Sequence, residues 1–140
     1  MAKIFWIDLG TISLEQKLYR SISDMAQYKS EEKNVTASFF VDKNGLSCDL
    51  AIFSSPEKSR RGYIDPQFSS NSGLIEFSTK MIEEASKGEV TIRHDPLKRT
   101  SLSGRTQEPN YGHCIFTSKL TRGQSNNVRK LALILIEPTF

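Results

Sequence analysis

Apolar residues recur along the 140-residue chain with two different periods, and each period predicts its own element. Leu14, Leu18, Ile22 and Met25 follow one another at three- and four-residue steps, which predicts an amphipathic helix from Ser13 to about Tyr28, with Ser13 and Gln16 as its capping box. Before it, Lys3 to Asp8 reads as a first strand or an extended arm. Lys29 to Asn34 is a charged linker. Val35 to Val41 is rich in β-branched and aromatic residues and predicts a strand. Asp42-Lys43-Asn44-Gly45 is a turn, and Leu46 to Phe53 returns as the second arm of a hairpin. Ser54-Ser55-Pro56-Glu57 opens a short helix closed by Arg60, Arg61 and Gly62.

Residues 65–72 form a loop. Leu74 to Phe77 is a strand or a helix entry, after which Ser78 caps a helix running through Met81, Ile82 and Ala85 to a left-handed Gly88. Val90, Ile92 and His94 alternate with Thr91, Arg93 and Asp95, and His113, Ile115 and Thr117 alternate with Cys114, Phe116 and Ser118. Both runs have the two-residue period of half-buried strands. The turn-rich TRGQSNN precedes Val128 to Ile136, which reads as helix in preference to a doubly buried strand. The elements add up to an α+β domain over residues 1–140: a small, mainly antiparallel sheet with two or three packed helices.

Between His94 and His113 lie Pro96, Gly104, Pro109 and Gly112, together with Lys98, Arg99 and Arg105. A long, basic, mobile surface loop is expected there, of a length that in a small domain is often functional. Its two ends would bring His94 and His113 near one another if the flanking strands pair antiparallel.

Charge sharpens this picture. Residues 1–89 carry 11 Lys/Arg against 13 Asp/Glu, and residues 90–140 carry 8 against 3. The basic second half suits an acidic protein surface, a nucleotide or a nucleic acid. The longest apolar run, Leu131 to Ile136, is too short to cross a bilayer, so no membrane partner is expected. The first residues, MAKIFWIDLG, do not form a secretory signal, which places the protein in the cytoplasm with Cys48 and Cys114 reduced and buried.

His94 and His113 are the candidate catalytic residues, as an acid–base pair or as donors to a phosphate. Arg60, Arg61, Arg93, Lys98, Arg99 and Arg105 are the candidate anion-binding residues. A hydrogen-bonded, partly buried structural role for His94 competes with the catalytic one, because it shares a face with Val90 and Ile92. No metal site and no cofactor are expected: His94, Asp95, His113 and Cys114 lack ligand spacing, since neighbours on a strand point apart. The same divergence argues against a Cys114–His113 nucleophile pair, and a lone Gly104 makes no phosphate loop. Ser47-Cys48-Asp49, just ahead of the capped helix, lines a pocket with Arg60 and Arg61, or else Asp49 caps a turn or pairs with an Arg.

Three segments, LYR from Leu18, GLSCDLAIFSSPEKSRR from Gly45, and VTIRHDPL with GHCIF from Val90 to Phe116, resemble a family of small uncharacterised bacterial proteins. Its pattern runs Leu-Ser-x-Asp, Ser/Thr-Pro-Glu, His-x-Pro, a second His, and a closing Lys/Arg-Leu-Ala matched by Lys130, Leu131 and Ala132. The chain departs from it in setting Asn110 three positions before His113. The resemblance implies a bacterial or phage origin and a self-contained domain, and carries no established activity.

The leading expectation is therefore a non-enzymatic binding or accessory protein of a bacterial or phage system, presenting a basic loop to an acidic protein or nucleic-acid partner. The alternative is an enzyme that processes phosphate esters of a nucleotide or RNA through His94 and His113.

Overall fold

The computed structural model describes residues 7–41, 45–63, 71–97, 101–102, 105–106 and 108–140, with backbone alone at 101–102 and 105–106. Its fold is α+β. Ten strands occur among these residues: β1 (Lys17–Ile22), β2 (Tyr28–Lys29), β3 (Asn34–Val35), β4 (Ser47–Leu50), β5 (Gly73–Ser78), β6 (Ile92–His94), β7 (Ser101–Leu102), β8 (Arg105–Thr106), β9 (His113–Phe116) and β10 (Leu133–Ile136). Three α-helices accompany them, α1 (Pro56–Arg60), α2 (Thr79–Ser86) and α3 (Arg122–Leu131). Six strands form one antiparallel sheet in the order β10-β5-β1-β4-β9-β6, while β2-β3 and β7-β8 are separate two-stranded ribbons.

Alternation along the strands divides the sheet into two unlike faces. Leu18, Ile22, Leu50, Phe77, Ile92 and Phe116 point to one face and are buried together with Ile82 of α2 and Val128 of α3. Phe40 meets both Phe39 and Phe77 edge to face at about 5 Å, and such pairs add about 0.5–1.5 kcal/mol each beyond their burial. The opposite face carries α1, tied down where Ser21 Oγ donates to the Arg60 carbonyl at 2.8 Å.

Several expectations meet the structure directly. Ser55 caps α1 with Pro56 at its first position, and Ser78 caps α2. Gly88 is left-handed, as is Lys87 before it. The strands around His94 and His113 do pair antiparallel.

Others are corrected. Of the helix expected from Ser13 to Tyr28, Lys17–Ile22 is strand β1 and only Met25–Gln27 is helical, as a single 3-10 turn: positions 14, 18 and 22 lie an even number of residues apart, so they share a strand face as readily as a helix face. Met25, which breaks that parity, is exposed, as is Leu14. Of Val35 to Val41 only Val35 is in a strand; residues 37–40 turn, burying Phe39 and Phe40. The hairpin with Leu46 to Phe53 is absent, since β4 pairs with β1 and β9. The turn-rich 121–127 stretch begins α3, with Thr121 and Gln124 as a capping box, and only the tail LILI is strand. The arm expected at Lys3 to Asp8 and the turn at Asp42 to Gly45 fall mostly outside the described residues, as does most of the 65–72 loop.

Candidate functional site

The two histidines do not meet. His94 pairs across the sheet with Cys114, the residue next to His113, so the alternation of side chains sends the two rings to opposite faces. His94 is fully buried on the core face, where its Nδ1 accepts the Leu9 N–H at 2.9 Å and its Nε2 lies 2.6 Å from the Tyr111 carbonyl. A carbonyl only accepts, so Nε2 carries the proton and the ring is neutral. Both nitrogens are engaged, and the ring also stacks edge-on against Tyr111. His94 is a structural residue holding residues 7–12 against β6, which corrects its assignment to a catalytic pair with His113.

The expected anion-binding set is likewise dispersed. Arg60 and Arg61 both hold Glu57, at 3.0 Å, and Arg60 also donates to the Ser72 carbonyl. Arg93 is exposed and lies 3.4 Å from Asp8. Lys98 and Arg99 are outside the described residues, and of Arg105 only the backbone, in β8, is described.

A different constellation forms on the face opposite α2 and α3. Tyr19 on β1 lies across from Asp49 on β4, and Asp49 lies across from His113 on β9. The Asp95 N–H donates to the His113 carbonyl at 2.8 Å, so Asp95 extends the same row just past β6. Leu50 donates to the Gly112 carbonyl and Phe116 to the Leu46 carbonyl. Asp49 and His113 are therefore one of the intervening pairs without mutual backbone bonds, the kind whose side chains approach more closely. Gly112 permits this packing: a Cβ there would sit 3.0 Å from that of Phe53.

Tyr19, Asp49 and His113, with Arg20, Ser21, Ser47, Leu97 and Asn110, line a cleft of about 320 Å³. Asp49 is 8% exposed. One carboxylate oxygen accepts from Ser59 Oγ at 2.7 Å and the other from Asn110 Nδ2 at 2.8 Å. A chain of hydroxyls continues from Ser59 to Ser54, 2.6 Å away, and on to Tyr63. Burial pushes the Asp49 carboxyl above its ordinary range, against the opposing pull of its two hydrogen bonds and of His113 and Arg20. Burial also pushes the Tyr63 hydroxyl up to about 12.

His113 is held at both nitrogens. Nδ1 lies 2.8 Å from the Asp95 carbonyl oxygen and 3.4 Å from its carboxylate, which puts the ring proton on Nδ1. Nε2 then accepts from the Ser47 hydroxyl at 3.1 Å. Ser47 is exposed, and Arg20 Nη1 donates to its carbonyl at 2.8 Å. Asn110 Oδ1 is buried without a hydrogen-bond partner among the described residues. Leaving a buried acceptor unpaired costs about 1–3 kcal/mol, a sign that something other than stability governs the residue.

The sequence reading reached His113, reached Ser47 and Asp49 as one reading of a pocket lining, weighed Asp95 only as a metal ligand, and missed Ser59. The signal for Ser47 was present in its position two before Asp49 on a strand, which puts both on one face. Among the described residues there is no cluster of His, Cys, Asp and Glu able to hold a metal, and no helix long and apolar enough to cross a membrane. Compared with family models, with curated proteins and with solved structures, the chain finds no match.

Proposed function

We propose that the protein is a binding protein whose recognition site is the Asp49–Asn110–His113 cleft. Its ligand is a small polar molecule of about nucleotide size, offering a hydrogen-bond donor to Asp49 and an oxygen-bearing group (carbonyl, carboxylate or phosphate) to Arg20. The observation that carries this reading is the convergence of three buried polar side chains from two segments distant in sequence on one concave surface. Buried titratable groups gathered in a cleft make it a candidate ligand site. The segments that carry the family resemblance supply Ser47, Asp49, Asp95 and His113, and all four belong to this site.

Leu97 and Asn110, which flank the basic loop, belong to the wall of the same site. Leu97 and Asn110 exchange backbone hydrogen bonds in both directions at 2.8 and 2.9 Å, so the loop leaves and re-enters the domain at the cleft wall. A larger partner, an acidic protein or a nucleic acid, would contact the loop while a single side chain or nucleotide occupies the cleft.

The test is a thermal-shift screen with nucleosides, nucleoside mono- and diphosphates, amino acids and short oligonucleotides, repeated on His113→Ala and Asp49→Asn. A ligand that raises the wild-type melting temperature and loses its effect in both variants, but not in Arg93→Ala, supports the cleft. A ligand whose effect survives both substitutions refutes it.

A further inference from the structure

We infer that Ser47 is a nucleophile and that the cleft cleaves carboxylic esters, an inference that rests on the cleft being a ligand site. Three groups stand in the order that such chemistry requires. The Ser47 hydroxyl, exposed at the cleft, donates to His113 Nε2 at 3.1 Å. His113 Nδ1–H is held by the Asp95 carbonyl at 2.8 Å, with the Asp95 carboxylate 3.4 Å from the same nitrogen. The base therefore has a fixed tautomer with its free lone pair on the serine, and an acid beside it to stabilise the imidazolium. The Arg20 guanidinium donates to the Ser47 carbonyl at 2.8 Å, and Arg20 borders the cleft.

The register explains why these groups meet. Asp49 and Ser47 are two apart on β4 and share a face; His113 lies directly opposite Asp49 and so sits diagonal to Ser47, within reach of an imidazole. A histidine with a purely structural role would have no need of an exposed serine on its second nitrogen, where water serves equally well.

In the reaction, Ser47 Oγ bonds to the ester carbonyl carbon as its proton passes to His113 Nε2. The carbon–oxygen bond to the leaving group breaks, and the departing alcohol takes the proton from Nε2. Water then attacks the acyl-serine, giving a proton to Nε2. The bond to Ser47 Oγ breaks, the acid is released and the serine recovers its proton.

The experiment treats the full chain with a fluorophosphonate, which bonds irreversibly to activated serines, and locates the adduct by peptide mass spectrometry. Hydrolysis of p-nitrophenyl acetate is followed in parallel. An adduct on Ser47, lost in Ser47→Ala and His113→Gln, with hydrolysis falling about 100-fold or more in both, supports the inference. Asp95→Asn, which keeps the backbone carbonyl, should lower the rate less and move the pH–rate profile to lower pH, since the imidazolium loses its neighbouring charge. Lys119→Ala, at an exposed position away from the cleft, should leave hydrolysis unchanged. No adduct, or an adduct only at another residue, on wild-type protein whose circular dichroism shows it folded, overturns the inference. If the thermal-shift ligand still binds in that case, the cleft reading stands without the chemistry; if nothing binds, both fall.

Discussion

Asp49 is the residue whose replacement tests most of the physical reasoning at once. Truncation to Ala removes a carboxylate that accepts one hydrogen bond from Ser59 and one from Asn110. Hydrogen bonds to a charged acceptor contribute about 1.5–3 kcal/mol each, and the orphaned donors on Ser59 and Asn110 remain in a buried setting. Relief of the carboxylate's own desolvation offsets part of this, leaving a net loss of about 2–4 kcal/mol and a melting temperature lower by roughly 10 °C. Asp49→Asn keeps the shape: its oxygen accepts from Ser59, and Asn110 meets the new amide by turning its own. That variant should stay within about 1 kcal/mol of wild type at low pH. The pH dependence then separates the two. Because burial raises the folded-state pKa, the wild type binds its proton more tightly folded than unfolded. The resulting stability is complete below the ordinary carboxyl value of 3.8 and is lost as pH rises through the raised one. Urea denaturation from pH 3 upward should therefore show Asp49→Asn gaining on wild type as pH rises. The opposite trend, wild type gaining on the variant, would mean that His113 and Arg20 hold Asp49 ionised and would refute the desolvation account.

Other outcomes follow from the same structure. His94→Ala breaks the link between residue 9 and Tyr111 and empties a fully buried site, so it should cost about 2–4 kcal/mol in urea denaturation. Ligand binding in the cleft on the other face should survive in whatever fraction remains folded. Gly73→Ala puts a Cβ 2.5 Å from the Ile136 carbonyl oxygen and 2.7 Å from Pro138 Cδ; it should displace β10 and speed amide exchange at Leu133 to Ile136. Both thiols are buried and raised by that burial, Cys114 to about 12, so a disulfide reagent should react with them only as fast as the chain opens. Rapid labelling in native buffer would contradict the packing described here.

Much of the fold was legible in local signals. The caps of α1 and α2 depend on residues adjacent to the helix, and Ser55-Pro56 and Ser78 announce them without tertiary help. Strand β1 was misread because a spacing of four is compatible with either period, and what decides it is Phe77 and Leu50 lying across from Leu18. The start of α3 was hidden because Gly123, Ser125, Asn126 and Asn127 are poor helix formers. The helix stands there on its capping box and on burial of Ser125, whose hydroxyl accepts the Phe40 N–H. The site was half legible for a related reason. Alternation places His94 on an apolar face, but that Ser47 and Asp49 stand beside His113 depends on a strand pairing between positions more than 60 apart.

The polar row that crosses the sheet from Tyr19 through Asp49 and His113 to Asp95 works as a vernier. Each strand contributes one mark, and the marks align only when every pairing has its native offset. Sliding any one strand by a single residue would turn its member of the row into the hydrophobic layer and bring an apolar side chain out in its place. A molecule that recognises the aligned row will thus discriminate sharply between the finished sheet and misaligned forms of it, and will hold the chain in the finished one.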